Sequence, residues 1–375
     1  MFSPLHISEH KESSANTNNT NTNDDTTIHN LNDDRVLIGA PPDVVTYLAF
    51  SPNSRFVSAT SWAKQMRVWE LKGEKGETNI PRFNFNAFDV PLLCNAWCSN
   101  EHPSFGMLDG VVALTNITTC QTQRLYTHAS AVSTLHYIPE YQALLSGSWD
   151  HTVKLFDARS NRVIKDTFLS DEIYCMDAQQ HIFLVGTADK EVSTWDIRKM
   201  DKALCGETMK DSLQTRSVAL MPDLRGYVQG SINGRCSVYY YYDDTDHHHD
   251  KMENNNNKNK SNSYGFRCHI RKIGNVVELH AVNAVKYHPT IPNLLATCGS
   301  DGRFSLWDTD SRMHKGSLPF SLNMPITAFQ WAPDGKSAVY AAGNDFSKGT
   351  TSSFSKIYWH ALEEAEAEGK ENKKK

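Results

Sequence analysis

The sequence has no long hydrophobic run, no strong excess of either charge and none of the short motifs that identify common enzyme classes. No stretch reaches the roughly 18 consecutive apolar residues expected of a transmembrane helix, and the start of the chain lacks the apolar core of a secretory signal peptide. Basic residues number 38 and acidic residues 43, which gives a net charge of −5. No overall positive field is therefore available to attract nucleic acid, although a local basic patch is compatible with this balance.

Catalytic signatures are also missing from the chain. The sequence contains no phosphate-binding loop, no His-Glu-x-x-His pair, no dinucleotide-binding glycine pattern and no nucleophile elbow. We therefore predict a protein that is not an enzyme and that uses no cofactor.

The cysteines and histidines do not form a pattern that is typical of a metal site. Eight cysteines lie mostly in apolar, strand-like runs, at positions 94, 98, 120, 175, 205, 236, 268 and 298. None forms a Cys-x-x-Cys pair, which favours buried, reduced thiols in a cytosolic or nuclear protein. Residues 246–250 read Asp-His-His-His-Asp, but this tract belongs to a low-complexity segment with no second cluster of ligands. We expect no metal centre.

The most informative stretch covers residues 146–157, Ser-Gly-Ser-Trp-Asp-His-Thr-Val-Lys-Leu-Phe-Asp. A strand of small residues ends there, a tight turn is built on Asp150, and a second strand closes on Phe156 and Asp157. A closing aromatic residue followed by aspartate is the signature of the WD repeat, here with Phe156 in place of tryptophan. Related patterns recur six more times at intervals of roughly 40 residues, which is the period of four-stranded propeller blades.

These patterns define seven repeats. The second is the least regular, because it ends at Asn116 without the closing pair, and an insertion after the fifth explains the long step to the sixth. The repeats cover residues 44–71, 93–116, 128–157, 173–196, 218–242, 282–308 and 326–359.

One repeat cannot bury the apolar faces of its strands alone, whereas seven sheets stacked radially bury both faces and leave only short edges. We therefore predict an all-β, seven-bladed WD-repeat β-propeller over residues 35–360. The Asn- and Thr-rich residues 1–34 and the insertion 243–263 are predicted to be disordered, since they carry too few apolar residues to offset the entropy of ordering. Residues 361–375 are predicted to be a charged tail.

Polar residues that recur once per repeat are expected to be structural. A buried hydrogen-bond network of His, Ser or Thr, Asp and Trp can tie the turn of a blade to its strands, provided that every member is paired. Two blades are predicted to hold such a network: His128, Ser146 and Asp150 in the third, and His280, Thr297, Asp301 and Trp307 in the sixth.

Large aromatic and basic side chains at the turns are the candidates for binding. Trp62 and Trp149 fall at the turn between the second and third strands of a repeat, where each either anchors a partner or packs against the next blade. Several basic residues concentrate in repeats five and six, and their positive charges suit carboxylate or phosphate partners. They are Arg216, Arg235, Arg267, Arg271, Lys272 and Arg303. The alternative is an ordinary solvated face.

Several of these stretches also resemble the WD-repeat messenger-RNA export factor family from about residue 35 onwards. The similarity lies in Pro-Pro-Asp at 41–43, Ser-Trp-Ala at 61–63, Arg-Val-Trp-Glu at 67–70, Gly-Ser-Trp-Asp at 147–150, Gln-Thr-Arg at 214–216, Gly-Ser-Ile-Asn-Gly-Arg at 230–235, Phe-Arg-Cys-His at 266–269, Gly-Ser-Asp-Gly-Arg-Phe-Ser at 299–305 and Asp-Phe-Ser-Lys-Gly at 345–349. The sister family of spindle-checkpoint WD-repeat proteins shares most of these motifs, and residues 185–188 and 195–200 are more similar to that sister family.

The resemblance implies a propeller that docks on the GLEBS motif, an acidic hairpin segment of an FG nucleoporin. Arg216 and Arg235 would then bind its glutamates, and Trp62 and Trp149 would supply apolar anchors. It also implies a rim that contacts single-stranded RNA, formed by Arg267, Arg271, Lys272 and Arg303.

A monomeric propeller without membrane insertion is expected, located at the nucleus and nuclear pore with shuttling to the cytoplasm. The sister family implies the alternative of a mitotic checkpoint adaptor that binds GLEBS-bearing kinases and phosphorylated kinetochore repeats. From a different class, a propeller lyase or hydrolase would need a central cluster of acids or metal ligands, which the sequence does not indicate.

Overall fold

Short strands with alternating polar and apolar residues pair into seven four-stranded antiparallel sheets, each built from neighbouring segments of the chain. We analysed a computed structural model, which describes residues 34–71, 81–86, 88–208, 213–241, 263–319, 324–347, 349 and 355–362. The first strand of each sheet contacts the first strand of the next sheet. The first strand of the seventh sheet contacts the first strand of the first sheet, which closes the ring. This arrangement confirms the predicted seven-bladed β-propeller.

The first four blades follow one another without interruption. The first described strand is β1 (Arg35–Leu37), which belongs to neither of the first two blades. The strands of these two blades are β2 (Val45–Phe50), β3 (Phe56–Ser61), β4 (Gln65–Glu70), β5 (Pro81–Phe85), β6 (Leu92–Ser99), β7 (His102–Met107), β8 (Val111–Thr115) and β9 (Thr122–Thr127). The strands of blades three and four are β10 (Val132–Ile138), β11 (Ala143–Ser148), β12 (Thr152–Asp157), β13 (Arg162–Phe168), β14 (Ile173–Gln179), β15 (Ile182–Thr187), β16 (Glu191–Asp196) and β17 (Cys205–Thr208).

Blades five and six are separated by an additional two-stranded hairpin. The strands of blade five and of the hairpin are β18 (Thr215–Leu220), β19 (Gly226–Ser231), β20 (Arg235–Tyr240), β21 (Tyr264–Arg267), β22 (Ile270–Ile273) and β23 (Val276–Leu279). Blade six and the rest of the chain supply β24 (Val282–Tyr287), β25 (Leu294–Gly299), β26 (Arg303–Asp308), β27 (Met313–Pro319), β28 (Ile326–Trp331), β29 (Ser337–Gly343) and β30 (Ser355–Ala361). The sequence did not predict the hairpin, because its ten residues lack the regular polar–apolar alternation of the blade strands.

The ring is closed by strand β1, which pairs with β30 and becomes the outer strand of blade seven. The residue before it, Asp34, is buried and accepts hydrogen bonds from the Tyr340 hydroxyl at 2.5 Å and from Nδ1 of His360 at 2.7 Å. The start and end of the propeller are therefore joined by backbone pairing and by a buried carboxylate. The repeat pattern predicts a propeller that begins at Arg35 but assigns this strand to no blade.

The predicted boundaries can be compared with the described residues only in part. Strand β30 extends to Ala361, one residue past the expected end of the propeller, and Asp34, one residue before its expected start, is bonded to the last blade. Residues 1–33 and 363–375 and nearly all of the insertion 243–263 lie outside the described residues. Among the residues that are described, no helix has the length and apolar character that a membrane crossing requires.

The buried carboxylate of Asp34 predicts a test of ring closure. Asp34→Ala leaves the Tyr340 hydroxyl and the His360 imidazole buried without their acceptor, and we expect a loss of about 3 kcal/mol in the free energy of unfolding. Asp89→Ala, which removes an exposed carboxylate, is the control and should change this free energy by less than about 0.5 kcal/mol. Equal denaturation midpoints for the two variants would show that Asp34 does not hold the ring closed.

Candidate functional site: the mouth of the central channel

Each blade has a β-bulge at the same place in its first strand. The pairing of first and second strands shifts by one residue near the start of the first strand in all seven sheets. The bulged residues are Thr46, Leu93, Ser133, Tyr174, Arg216, Asn283 and Thr327. A bulge re-aims the extra side chain, and all seven of these residues line cavities at the central channel. The fold thus builds a ring of seven side chains, one from each blade.

Arg216 is the single charged member of this ring. It is exposed, lines the cavity and makes no ion pair or hydrogen bond to other residues in the part of the chain that the structure describes. The other six members are small polar, amide, aliphatic or phenolic side chains. An unpaired guanidinium at the mouth of a channel offers five N–H donors to an incoming carboxylate or phosphate.

Apolar side chains on the turns between second and third strands lie next to the ring of bulged residues. Trp62, Trp149 and Ile232 occupy the same position in their turns, since the backbone N–H of each donates to the residue that precedes the first strand, at 3.0–3.2 Å. Trp62 and Ile232 are each 38% exposed, and Trp149 is half-buried at the cavity wall. Exposed apolar groups grouped around a cavity are typical of a protein-binding site.

The cavity at the channel mouth has a volume of about 360 Å³. Its wall includes Trp149, Tyr174, Arg216, Ile232 and, from blade seven, Asp345. Burial alone would raise the pKa of Asp345, but hydrogen bonds from Ser300, from Ser347 and from Asn283 lower it below its ordinary value. The site therefore presents a cation from blade five and an ionised carboxylate from blade seven.

Only part of this site is predictable from the sequence. Trp62, Trp149 and Arg216 are candidates from their positions at turns and strand ends, and the structure brings Trp149 and Arg216 together in one cavity. The sequence did not single out Ile232 or Phe346, which is 55% exposed in the blade-seven turn next to Asp345. Ile232 could have been found by aligning the repeats, since it holds the same turn position as the two tryptophans.

Arg235 and Arg267 form a separate basic pair on the outer half of blade five. The two residues are direct register partners on β20 and β21, so their side chains leave the same face of the sheet, and both are exposed. Two guanidinium groups so close together repel each other unless an anion lies between them. The pair is therefore a second candidate site for an acidic group.

The remaining candidates for a basic rim lie on three different elements. Arg267 ends β21, Arg271 and Lys272 lie on the hairpin strand β22, and Arg303 begins β26. All four are exposed. On the hairpin, Arg271 lies opposite Glu278 and Lys272 lies opposite Val277, so part of this positive charge is offset locally.

The histidine network in blade three has the members that the sequence indicated. His128 contacts Asp150 through Nδ1 at 3.1 Å and Ser146 through Nε2 at 2.8 Å. An ionised carboxylate can only accept, so Nδ1 carries the proton and Nε2 accepts from the serine hydroxyl. Burial keeps the pKa of His128 below its usual value despite Asp150. These groups are mutually satisfied, which fits a structural role.

The network in blade six uses His269 in place of His280. Nδ1 of His269 lies 2.8 Å from Asp301 and Nε2 lies 3.1 Å from the Thr297 hydroxyl, which also accepts from Trp307 at 3.0 Å. Burial alone would lower the pKa of His269, but the hydrogen bond to Asp301 outweighs it and raises the pKa of His269.

The imidazole of His280 lies 3.5 Å from Glu278 and forms no hydrogen bond at Nε2 within the described residues. The assignment of His280 from spacing was wrong because the hairpin β22–β23 separates the network histidine from the first strand of its blade.

Within the described residues there is no group of three or more histidine, cysteine, aspartate or glutamate side chains that could hold a metal ion. The His-rich tract 246–250 lies outside the residues that the structure describes. Inside the channel, Lys286 and Asp177 form an ion pair at 3.1 Å between blades six and four. Asp177 also accepts from the backbone N–H of Leu220 at 2.9 Å, so this pair ties three blades together.

Comparison with known proteins adds a second line of argument. The WD domain, G-beta repeat family matches residues 35–70, 119–157 and 272–308, which correspond to blades one, three and six. The chain is 28% identical over 315 residues to the Poly(A)+ RNA export protein of Schizosaccharomyces pombe, covering 83% of this chain and 84% of the relative. It is 29% identical over 325 residues to protein Rae1 of Drosophila melanogaster, covering 83% and 88%.

A checkpoint protein is among the relatives at similar distance. The mitotic checkpoint protein bub-3 of Caenorhabditis elegans is 30% identical over 298 residues, covering 79% of this chain and 82% of the relative. Among solved structures, U3-55K matches with a TM-score of 0.70 and 16% identity, covering 89% of this chain and 99% of that chain. At that identity the structural match concerns the fold alone.

The histidine networks predict that two neighbouring histidines contribute very differently to stability. His269→Ala removes the partner of a buried carboxylate and should lower the free energy of unfolding by about 3 kcal/mol. His280→Ala, eleven residues further along the chain and without a hydrogen bond at Nε2, should cost less than about 1 kcal/mol. Chemical denaturation of both variants decides between them, and a larger loss for His280→Ala would contradict the assignment.

A channel histidine predicts a pH dependence of stability. Nε2 of His136 donates to the Met176 carbonyl at 2.9 Å, and burial lowers the pKa of His136 to about 4. The unfolded chain titrates near 6.5, so the unfolded state binds the proton first, and the contribution of neutral His136 is lost as the pH falls from about 6.5 to 4. His136→Gln, which keeps a donor, should flatten the stability profile in that window. Parallel profiles for variant and wild type would rule out this contribution.

Proposed function

Since this chain belongs to the WD-repeat family that contains the poly(A)+ RNA export proteins, Rae1 and the mitotic checkpoint protein bub-3, we propose that it is a non-enzymatic adaptor in messenger-RNA export. Its partner in this role is the GLEBS motif of an FG nucleoporin, bound at the channel mouth. The observation that carries the proposal is the ring of bulged residues, in which Arg216, which has no ionic partner among the described residues, stands beside exposed apolar turns.

The chemistry of the mouth suits an acidic hairpin with apolar side chains. A glutamate of the hairpin would accept two parallel hydrogen bonds from Arg216, and its apolar residues would cover Trp62 and Trp149, which water solvates poorly. Asp345, which lines the same cavity, repels a second carboxylate there. The two signs of charge thereby favour one orientation of the hairpin over its reverse.

The basic pair on the outer half of blade five extends this surface. Arg235 and Arg267 lie opposite each other on neighbouring strands, and their two guanidinium groups can bind a second acidic group of the nucleoporin segment. Their mutual repulsion in the free protein would be relieved on binding. This makes the pair a source of specificity for a segment with two clusters of glutamate.

Contact with single-stranded RNA is the second part of the proposed role. Arg267, Arg271, Lys272 and Arg303 are exposed along the rim of blades five and six. Charges spread over three elements suit a flexible phosphate backbone better than a single compact anion. RNA bound there would compete with the protein partner for Arg267 and would leave the apolar turns of blades one and three to that partner.

A checkpoint adaptor is the alternative function. It is favoured by the 30% identity to bub-3 and by the double-arginine site at Arg235 and Arg267, which would bind a phosphate of a phosphorylated kinetochore repeat as readily as a carboxylate. In that role the channel mouth would bind the GLEBS motif of a checkpoint kinase.

Affinity purification from interphase cells separates the two functions. For an export adaptor, an FG nucleoporin and export factors should be recovered with the tagged protein, which would be found at the nucleus and nuclear pore and shuttle to the cytoplasm. Recovery of checkpoint kinases with kinetochore proteins, and no nucleoporin, would replace the export role by the alternative.

Reversal of two charges tests the binding site directly. Arg216→Glu with Arg235→Glu should weaken binding of a synthetic GLEBS peptide at least 100-fold, since each arginine contributes roughly 1.5–3 kcal/mol as a charged hydrogen-bond donor. The matched control is Arg124→Glu with Arg162→Glu, which alters the net charge equally at exposed positions on outer strands of blades two and three. Equal affinities of the two double variants in calorimetric titrations would exclude the site.

A further inference from the structure

We propose that Cys236 and Cys268 form a redox-active dithiol that hydrogen peroxide converts to a disulfide, next to the arginine pair of blade five. Their sulfur atoms are 3.4 Å apart, on the third strand of blade five and directly after its fourth strand. None of the eight cysteines is in a disulfide bond. A bond of about 2.0 Å would require the two sulfurs to approach by roughly 1.4 Å.

The two thiols are not equivalent. Cys236 is buried in the core between blades five and six, whereas Cys268 is partly accessible at the edge of the same cluster. Burial and the neighbouring thiol raise the pKa of Cys236. Burial also acts against ionisation of Cys268, but the hydrogen bond from Cys236 and the adjacent His269 outweigh it and lower the pKa of Cys268. This is the asymmetry of an attacking and a resolving cysteine.

The reaction is balanced with peroxide as the only oxidant. The Cys268 thiolate attacks one oxygen of hydrogen peroxide, and the O–O bond breaks. Cys268 becomes a sulfenic acid, and hydroxide leaves. The Cys236 thiol then attacks that sulfur, the S–O bond breaks, and water leaves as the S–S bond forms. In total two thiols lose two electrons and two protons, and one peroxide becomes two waters.

The backbone around the pair leaves little room to absorb this movement. Gly234 has a left-handed φ of +75°, and a Cβ there would lie 2.4 Å from the carbonyl oxygen of His269. The backbone N–H groups of Cys268 and His269 both donate to the Gly234 carbonyl, at 3.0 and 3.2 Å. Movement of Cys268 is therefore transmitted to its neighbours in the chain.

Those neighbours are the two arginines and the network histidine. Arg235 precedes Cys236, Arg267 precedes Cys268, and the arginines are register partners. Formation of the disulfide changes the spacing of their guanidinium groups. The consequence for partner binding rests on the function proposed above, whereas the chemistry of the dithiol does not depend on it.

Peptide mapping tests the chemistry in the full-length protein without any partner. After treatment with hydrogen peroxide and blocking of remaining thiols, trypsin should release residues 236–251 linked to residues 268–271, and dithiothreitol should separate them. Cys120→Ser, which removes an exposed thiol, should leave the linked peptide unchanged, whereas Cys236→Ser and Cys268→Ser should each abolish it. Overoxidation of Cys268 in the wild type without a linked peptide would overturn the proposal.

Affinity measurements test the consequence separately. Disulfide-linked protein should bind the synthetic GLEBS peptide at least about fivefold more weakly than reduced protein, and dithiothreitol should restore binding. Cys236→Ser should bind equally well before and after peroxide. Unchanged affinity in fully linked protein would refute the effect on the arginines. Absence of binding by the reduced wild type would instead refute the proposed function and leave the disulfide result standing.

Discussion

Closure of the ring by strand β1 is the constraint on which the rest of the structure depends. The last sheet is completed by a strand from the other end of the chain, Arg35–Leu37, so both ends of the propeller are held in one blade. The buried Asp34, held by Tyr340 and His360, fixes the closure with a hydrogen-bonded carboxyl group. With the ring closed, the seven first strands are held around one channel, and their bulges converge on its mouth.

The candidate site is therefore a property of the fold rather than of a single motif. Each blade contributes one bulged residue from the equivalent position of its first strand. A change of one side chain in one repeat therefore alters the chemistry of the whole channel mouth. Arg216 gives the ring its positive charge, Asp345 supplies the opposite sign, and the turns of blades one, three and five add apolar surface. Binding specificity can change in such a scaffold without any change in the hydrogen bonds that hold the blades.

The repeat pattern was sufficient to predict the fold, because alternating strands and turns at a period of roughly 40 residues have few other solutions. The tryptophans at 62 and 149 could be placed for the same reason. The pattern failed in blade six, where the hairpin β22–β23 lies between the network histidine and the first strand of the blade. The network histidine is therefore His269 and not His280. The bulges and the Cys236–Cys268 contact depend on register and side-chain packing, which no single-sequence pattern encodes.

Hydrogen–deuterium exchange of the full-length protein with and without a GLEBS peptide tests the central claim most directly. If the partner lies across the channel mouth, protection should appear in the Trp62, Trp149 and Ile232 turns and around Arg216, and the outer strands of blades two to four should exchange as in the free protein. Protection confined to those outer strands, or to the hairpin between blades five and six, would contradict a binding site at the mouth.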